Sequence, residues 1–186
     1  MAESGLDALR TTHAVKVEWR AFELRPRGAP PVSPEYRARI MERWPQVRQI
    51  ARERFNVEMN RPEPKNPGDT FLAHVGAKFA QEQGQGEAYH RAVFRAHWQS
   101  DSDIASADVL AEIARGLGLD EAAFRAALTD NRYMYTVLED EEWAARHSLG
   151  GVPAFIFGHR YLVSGAQPVE ALREVADRCV EEGLIE

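Results

Sequence analysis

At 186 residues, with 44% apolar and 28% charged side chains, the chain is long enough to bury one sizeable core and too apolar for a disordered protein. Its net charge of −6, with no long block of Lys or Arg, argues against nucleic acid as the main partner, because neutralising phosphates takes a basic footprint. No apolar run reaches membrane-spanning length, Met1 to Arg10 holds no apolar signal core, and the single cysteine, Cys179, excludes an internal disulfide, so the cytoplasm is the expected compartment.

Gly5 to Thr12 reads as a short helix or the remnant of one. Val15 to Leu24 then alternates apolar and polar residues with period two, which predicts a half-buried strand. Ser33-Pro34-Glu35 supplies an N-cap, a first-turn proline and an acid, so a helix is expected from there to about Phe55, bent or broken at Pro45. Arg37, Arg39, Arg43, Arg48, Arg52 and Arg54 give it a modest positive side, read as a solvated face. The proline-rich stretch Arg61 to Asp69 reads as a rigid loop, with Asp69 or Thr70 capping the next helix.

From there to Leu149 the pattern is helical throughout. Phe71, Leu72, Val75 and Phe79 form one expected inward stripe, and Tyr89, Val93, Phe94 and Trp98 another. Ser106 and Asp120 are expected N-caps, and Gly150 is the expected C′ residue of a helix over 131–147. His90 and His97, with Asp101 and Asp103 beyond, lack the four-residue spacing and third ligand of a metal helix, so no metal site is expected. The acidic run Glu139-Asp140-Glu141-Glu142 reads as a solvated helix face.

Gly150 to Pro168 carries the most information: two glycines, a proline, an apolar strand, a turn, a second strand and the start of a final helix reaching about Glu182. Val152-Pro153 is a place where a cis bond is cheap, while an edge strand opened by proline serves equally well; the local residues leave both open.

Val17-Glu18-Trp19-Arg20-Ala21-Phe22-Glu23-Leu24 at the front, with Gly151-Val152-Pro153-Ala154-Phe155 and Val163-Ser164-Gly165-Ala166-Gln167-Pro168 at the back, resembles the DsbA-like thioredoxin-fold family, specifically the FrnE-like and 2-hydroxychromene-2-carboxylate isomerase branch. The resemblance implies an α/β thioredoxin-like fold with a large all-helical insertion: residues 1–30 and 150–186 form the thioredoxin-like part and 31–149 the inserted helical domain. It also implies a cis Val152-Pro153 bond facing a redox motif, and a cleft bordered by Asn66, Phe71 and His74. The plainer reading gives Asn66 to a turn and Phe71 to the core.

The chain departs from the family at its front. Members begin with a strand, then Cys-Pro-Trp-Cys or a variant, then a helix, whereas this chain matches from near the end of that helix. Its strand-helix unit is thus expected to be truncated, with the natural protein starting upstream of Met1; closure of the flanking strands, or a strand donated by a partner, would be the other remedies. Cys179, near the C-terminus of the last helix, is a poor substitute for a catalytic thiol, so no catalytic residue is assigned.

Three functions follow from the resemblance. The first is a thiol-disulfide oxidoreductase family protein whose redox motif is absent here. The second is a redox-inactive peptide-binding module using Gly151, Val152 and Pro153, with Asn66, Phe71 and His74, as substrate-binding residues. The third is a glutathione-dependent isomerase, in which glutathione would be the one cofactor; otherwise none is expected. The implied partner is a thiol- or disulfide-bearing protein or a small thiol, with no nucleic acid or membrane, and a homodimer among the assemblies allowed.

Overall fold

The computed structural model describes residues 1–60 and 69–184, which include eight α-helices and one two-stranded sheet. The chain divides into two compact units: Met1–Trp19, Ala38–Met59 and Leu149–Glu186 form the first, Arg20–Arg37 and Asn60–Ser148 the second. Among the described residues no helix is long and apolar enough to cross a membrane.

The first unit opens with helix α1 (Ala2–Arg10), which starts three residues earlier than the periodicity predicts. Its buried Leu9 packs with Leu172 and Ala176 of the final helix α8 (Val169–Glu181), and Gly5 allows the approach, since a Cβ there would lie 3.1 Å from Leu172 Cδ1. Strands β1 (Ala154–Phe157) and β2 (Tyr161–Ser164) pair antiparallel and lay Phe155, Phe157 and Val163 on this core. Alternation puts these side chains on one face, so the hairpin is pinned from one side.

Helix α2 (Pro34–Phe55) begins at the expected proline, where Ser33 Oγ accepts the Tyr36 amide at 3.2 Å. Of the bend or break expected at Pro45, the break is absent, since the helix continues through that proline, and Asn56 ends it at φ 51°, in the left-handed region an asparagine tolerates.

The second unit is a helical cluster of α3 (Phe71–Glu82), α4 (Gly86–Trp98), α5 (Ala107–Gly116), α6 (Glu121–Ala127) and α7 (Asn131–Arg146). Its core is aromatic: Phe79 meets Phe124 and Tyr133 edge-on, at 5.7 and 5.8 Å between centroids, and Tyr89 lies 5.6 Å from Phe124. Asp120 caps α6 by accepting the Ala123 amide at 2.7 Å, as its position before the apolar stripe predicts.

Four expectations are corrected. Val15–Leu24 is extended but is not a strand: Val15, Val17, Trp19 and Ala21 turn inward as the alternation predicts, yet no strand among the described residues supplies the ladder that a strand requires. Phe94 is 44% exposed, stacked on His90 rather than joining the stripe. The left-handed residue after α7 is Ser148 (φ 54°), not Gly150, because His147 already caps the helix through its Nδ1 and the Trp143 carbonyl, 2.7 Å apart. Asp140 is buried rather than solvated, as described below.

Candidate functional site

The residues from Gly150 to Gln167 build the first candidate site from local rules. The Val152–Pro153 bond is cis. Pro153 donates nothing but accepts: its carbonyl takes the Gly165 amide at 2.8 Å, and Gly165 reaches that position at φ 80°, a conformation glycine adopts without strain. At the other end of the hairpin, Gly158 and His159 both have positive φ (54° and 56°), matching the mirror-image turn that suits twisted strands, and the Arg160 amide closes it on the Phe157 carbonyl at 2.9 Å.

The result is a paired hairpin with an open margin. Val152 is 51% exposed, and Cβ atoms built on Gly150 or Gly151 would meet nothing within 4 Å. β1 has β2 on one side and, among the described residues, no strand on the other. A strand edge of this kind presents amides and carbonyls to an extended chain, while Val152 offers an apolar side chain for it to pack on.

Cys179 lies apart from this margin. It is fully buried on α8, beneath Gly158, where an added Cβ would stand 3.4 Å from Sγ. Burial first, then the Glu182 charge, pushes its thiol up from the usual value, against the weaker pull of Arg160 and Arg178. Glu182 itself is held by Tyr161 Oη (2.6 and 2.7 Å), Arg178 (3.0 Å) and Arg160 (3.1 Å). A thiol both buried and kept protonated is a poor nucleophile. Folded protein is therefore expected to react with a thiol-specific disulfide reagent at least ~100-fold more slowly than denatured protein; equal rates would contradict this assignment.

The second unit holds a different constellation. Asp140, 5% exposed, accepts Arg20 Nη1 at 3.2 Å, the Ala21 amide at 2.8 Å and the Lys78 ammonium. The Arg20 guanidinium also covers the Trp143 ring at 4.5 Å. In the sequence, the acidic neighbours of Asp140 disguise its burial. Its spacing was the available signal: Tyr133, Val137, Asp140 and Ala144 lie on one buried stripe of α7.

Of the expected binding residues here, Asn66 lies outside the described residues. Phe71 is buried in the unit's core with Arg27 over its ring at 4.9 Å. His74 is held neutral, its pKa lowered to about 4 by burial first and the Lys78 charge second, while it hydrogen-bonds the Phe22 backbone. Burial likewise lowers His90, to about 4, and His97. Among the described residues no three His, Cys, Asp or Glu side chains are grouped to hold a metal ion.

A family model described as a DSBA-like thioredoxin domain matches residues 1–176. The uncharacterized protein YwbO of Bacillus subtilis is 33% identical over 157 residues, covering 82% of this chain and 76% of that protein. Among solved structures, the probable DsbA oxidoreductase SCO1869 of Streptomyces coelicolor superposes with a TM-score of 0.85 at 27% identity, covering 97% of this chain and 84% of its own. A 2-hydroxychromene-2-carboxylate isomerase superposes at 0.80 with 19% identity, covering 98% and 90%.

Proposed function

Because this chain belongs to the DsbA-like thioredoxin domain family, whose model matches residues 1–176, we propose that Gly151, Val152 and Pro153 bind an extended thiol- or disulfide-bearing polypeptide, and that the chain exchanges no disulfide with its own residues. In this reading residues 1–30 and 150–186 carry the thioredoxin-like part and 31–149 the inserted helices, and the protein works in the reducing cytoplasm, which one buried thiol suits.

One observation carries the proposal: the sequence has a single cysteine and the structure buries it. Disulfide exchange requires an attacking thiolate and a second thiol to resolve the mixed disulfide. What remains is the capacity to hold a substrate backbone, supported by the exposed Val152 and the open margin of β1. Strand addition draws its affinity from backbone hydrogen bonds and its selectivity from the side chain beside them.

The test pairs a binding and a turnover measurement. An unfolded, cysteine-containing peptide is expected to bind the protein, and Val152→Asp to weaken it by about tenfold or more, since a charge replaces apolar contact area beside the edge. Insulin reduction by glutathione is expected to run no faster with the protein than without it. Unchanged affinity of the variant, or catalysed reduction, would overturn the reading.

A further inference from the structure

The two strands of the hairpin are of different kinds. β2 alternates, with Leu162 and Ser164 exposed and Arg160 just ahead of it, as befits the rim of a sheet. β1 does not: Leu149 to Gly158 contains no charged or polar side chain, and all four residues of β1 are half-buried. An unbroken apolar run covered alike on both faces belongs to the interior of a sheet. Yet among the described residues β1 has β2 alone beside it. No charge guards its other edge, and Pro153 stands one residue ahead of the strand.

The register shows which groups that edge offers. The Pro153 carbonyl accepts the Gly165 amide, and Phe155 lies opposite Val163, so Pro153, Phe155 and Phe157 turn their backbone groups toward β2. Alternation turns the N–H and C=O of Ala154 and Ile156 outward.

We infer that β1 selects polypeptide segments whose apolar residues run uninterrupted, and discriminates against segments that alternate apolar with polar residues. This rests on strand addition at β1 and names what that site prefers. A strand laid along β1 sends successive side chains to opposite faces. On one face they lie beside Phe155 and Phe157, which pack with Val163 over Leu9 and Leu172. On the other they lie beside Ala154 and Ile156. A polar residue of the bound strand, on either face, loses water and gains no hydrogen bond from a β1 side chain. The partner is thereby an unfolded polypeptide showing the sequence of a buried strand, which a folded protein hides. Two copies of this chain joined edge to edge over four residues would bury well under the ~1,200 Å² of a stable dimer.

Two peptides of one composition, each with one cysteine, test the inference. In the first, four valines are contiguous, matching the length of β1; in the second, they alternate with serines. The first is expected to bind about tenfold or more tighter, and both to shift the Ala154 and Ile156 amides. Ile156→Thr keeps a β-branched residue but places a hydroxyl on the outer face, and is expected to cut the ratio to about threefold or less. Equal affinities in the wild type, with both amides shifted by each peptide, would overturn the selectivity and leave strand addition standing. A preference without shifts at Ala154 and Ile156 would place it elsewhere and overturn it too. Shifts with neither peptide would remove strand addition itself. A dimeric free protein with these amides already protected from hydrogen exchange would make a second copy the occupant and overturn the inference.

Discussion

Replacing Asp140 by alanine is expected to destabilise the protein by about 3–5 kcal/mol, the cost of leaving a buried cation without its counter-charge. For a chain of this size that corresponds to a drop in Tm of about 6–20 °C. The loss falls on two groups. Lys78 is only 12% exposed at its side chain and would be stranded, and the buried Ala21 amide would lose its acceptor. Arg20 contributes less, because its side chain is 39% exposed and water can solvate it once the carboxylate is gone.

The double variant Asp140→Leu with Lys78→Met separates the ion pair from the site it occupies. Removing both charges eliminates the desolvation cost on each side, so most of the lost stability is expected to return. Urea unfolding of the three proteins decides the matter. A single variant as stable as the wild type would show that Asp140 is not the fastening point of Arg20 and Ala21.

Gly76→Ala is expected to carry the next largest cost, for a reason of packing alone. A Cβ at this position on α3 would fall inside van der Waals contact of the Tyr89 hydroxyl and stand 2.7 Å from Phe124 Cζ. Tyr89 and Phe124 are themselves fully buried, so neither can swing into solvent. Overpacking of this kind costs about 1–3 kcal/mol, despite the better helix propensity of alanine. The same change at Gly116, where a Cβ meets nothing within 4 Å, is the control and is expected to leave the unfolding midpoint at or above that of the wild type.

The residues that speak for themselves in the sequence are those whose conformation is decided within a few positions. Ser33-Pro34-Glu35 and Asp120 start helices because the Ser33 and Asp120 side chains meet amides three residues away. The hairpin from Ala154 to Ser164 is legible because two apolar tetrads flank a glycine-led turn. Cys179 is likewise where its place on the last helix predicts, packed and buried there.

Partners far apart in sequence are what defeat a local reading. The alternation sorts inward from outward side chains from Val15 to Ala21 and fails at buried Glu23 and exposed Leu24, while pairing depends on a neighbouring strand, and the pattern of one segment contains no information about another. Asp140 hides among three other acids until Lys78 and Arg20, 62 and 120 residues away, are brought to it. For the candidate site, the glycine-proline run and the burial of Phe71 are legible in the sequence, the latter from its place on an apolar stripe, whereas the exposure of Val152 requires the fold.

Backbone amide mapping by NMR reads the Gly151–Pro153 margin residue by residue. The protein is titrated with an unfolded cysteine-containing peptide and, separately, with the same peptide carrying serine in place of cysteine. Both peptides are expected to perturb the amides of Gly151, Val152 and Ala154 to Phe157, with similar affinity and no covalent adduct by mass. Perturbations absent from this margin, or a mixed disulfide on Cys179, would contradict that expectation.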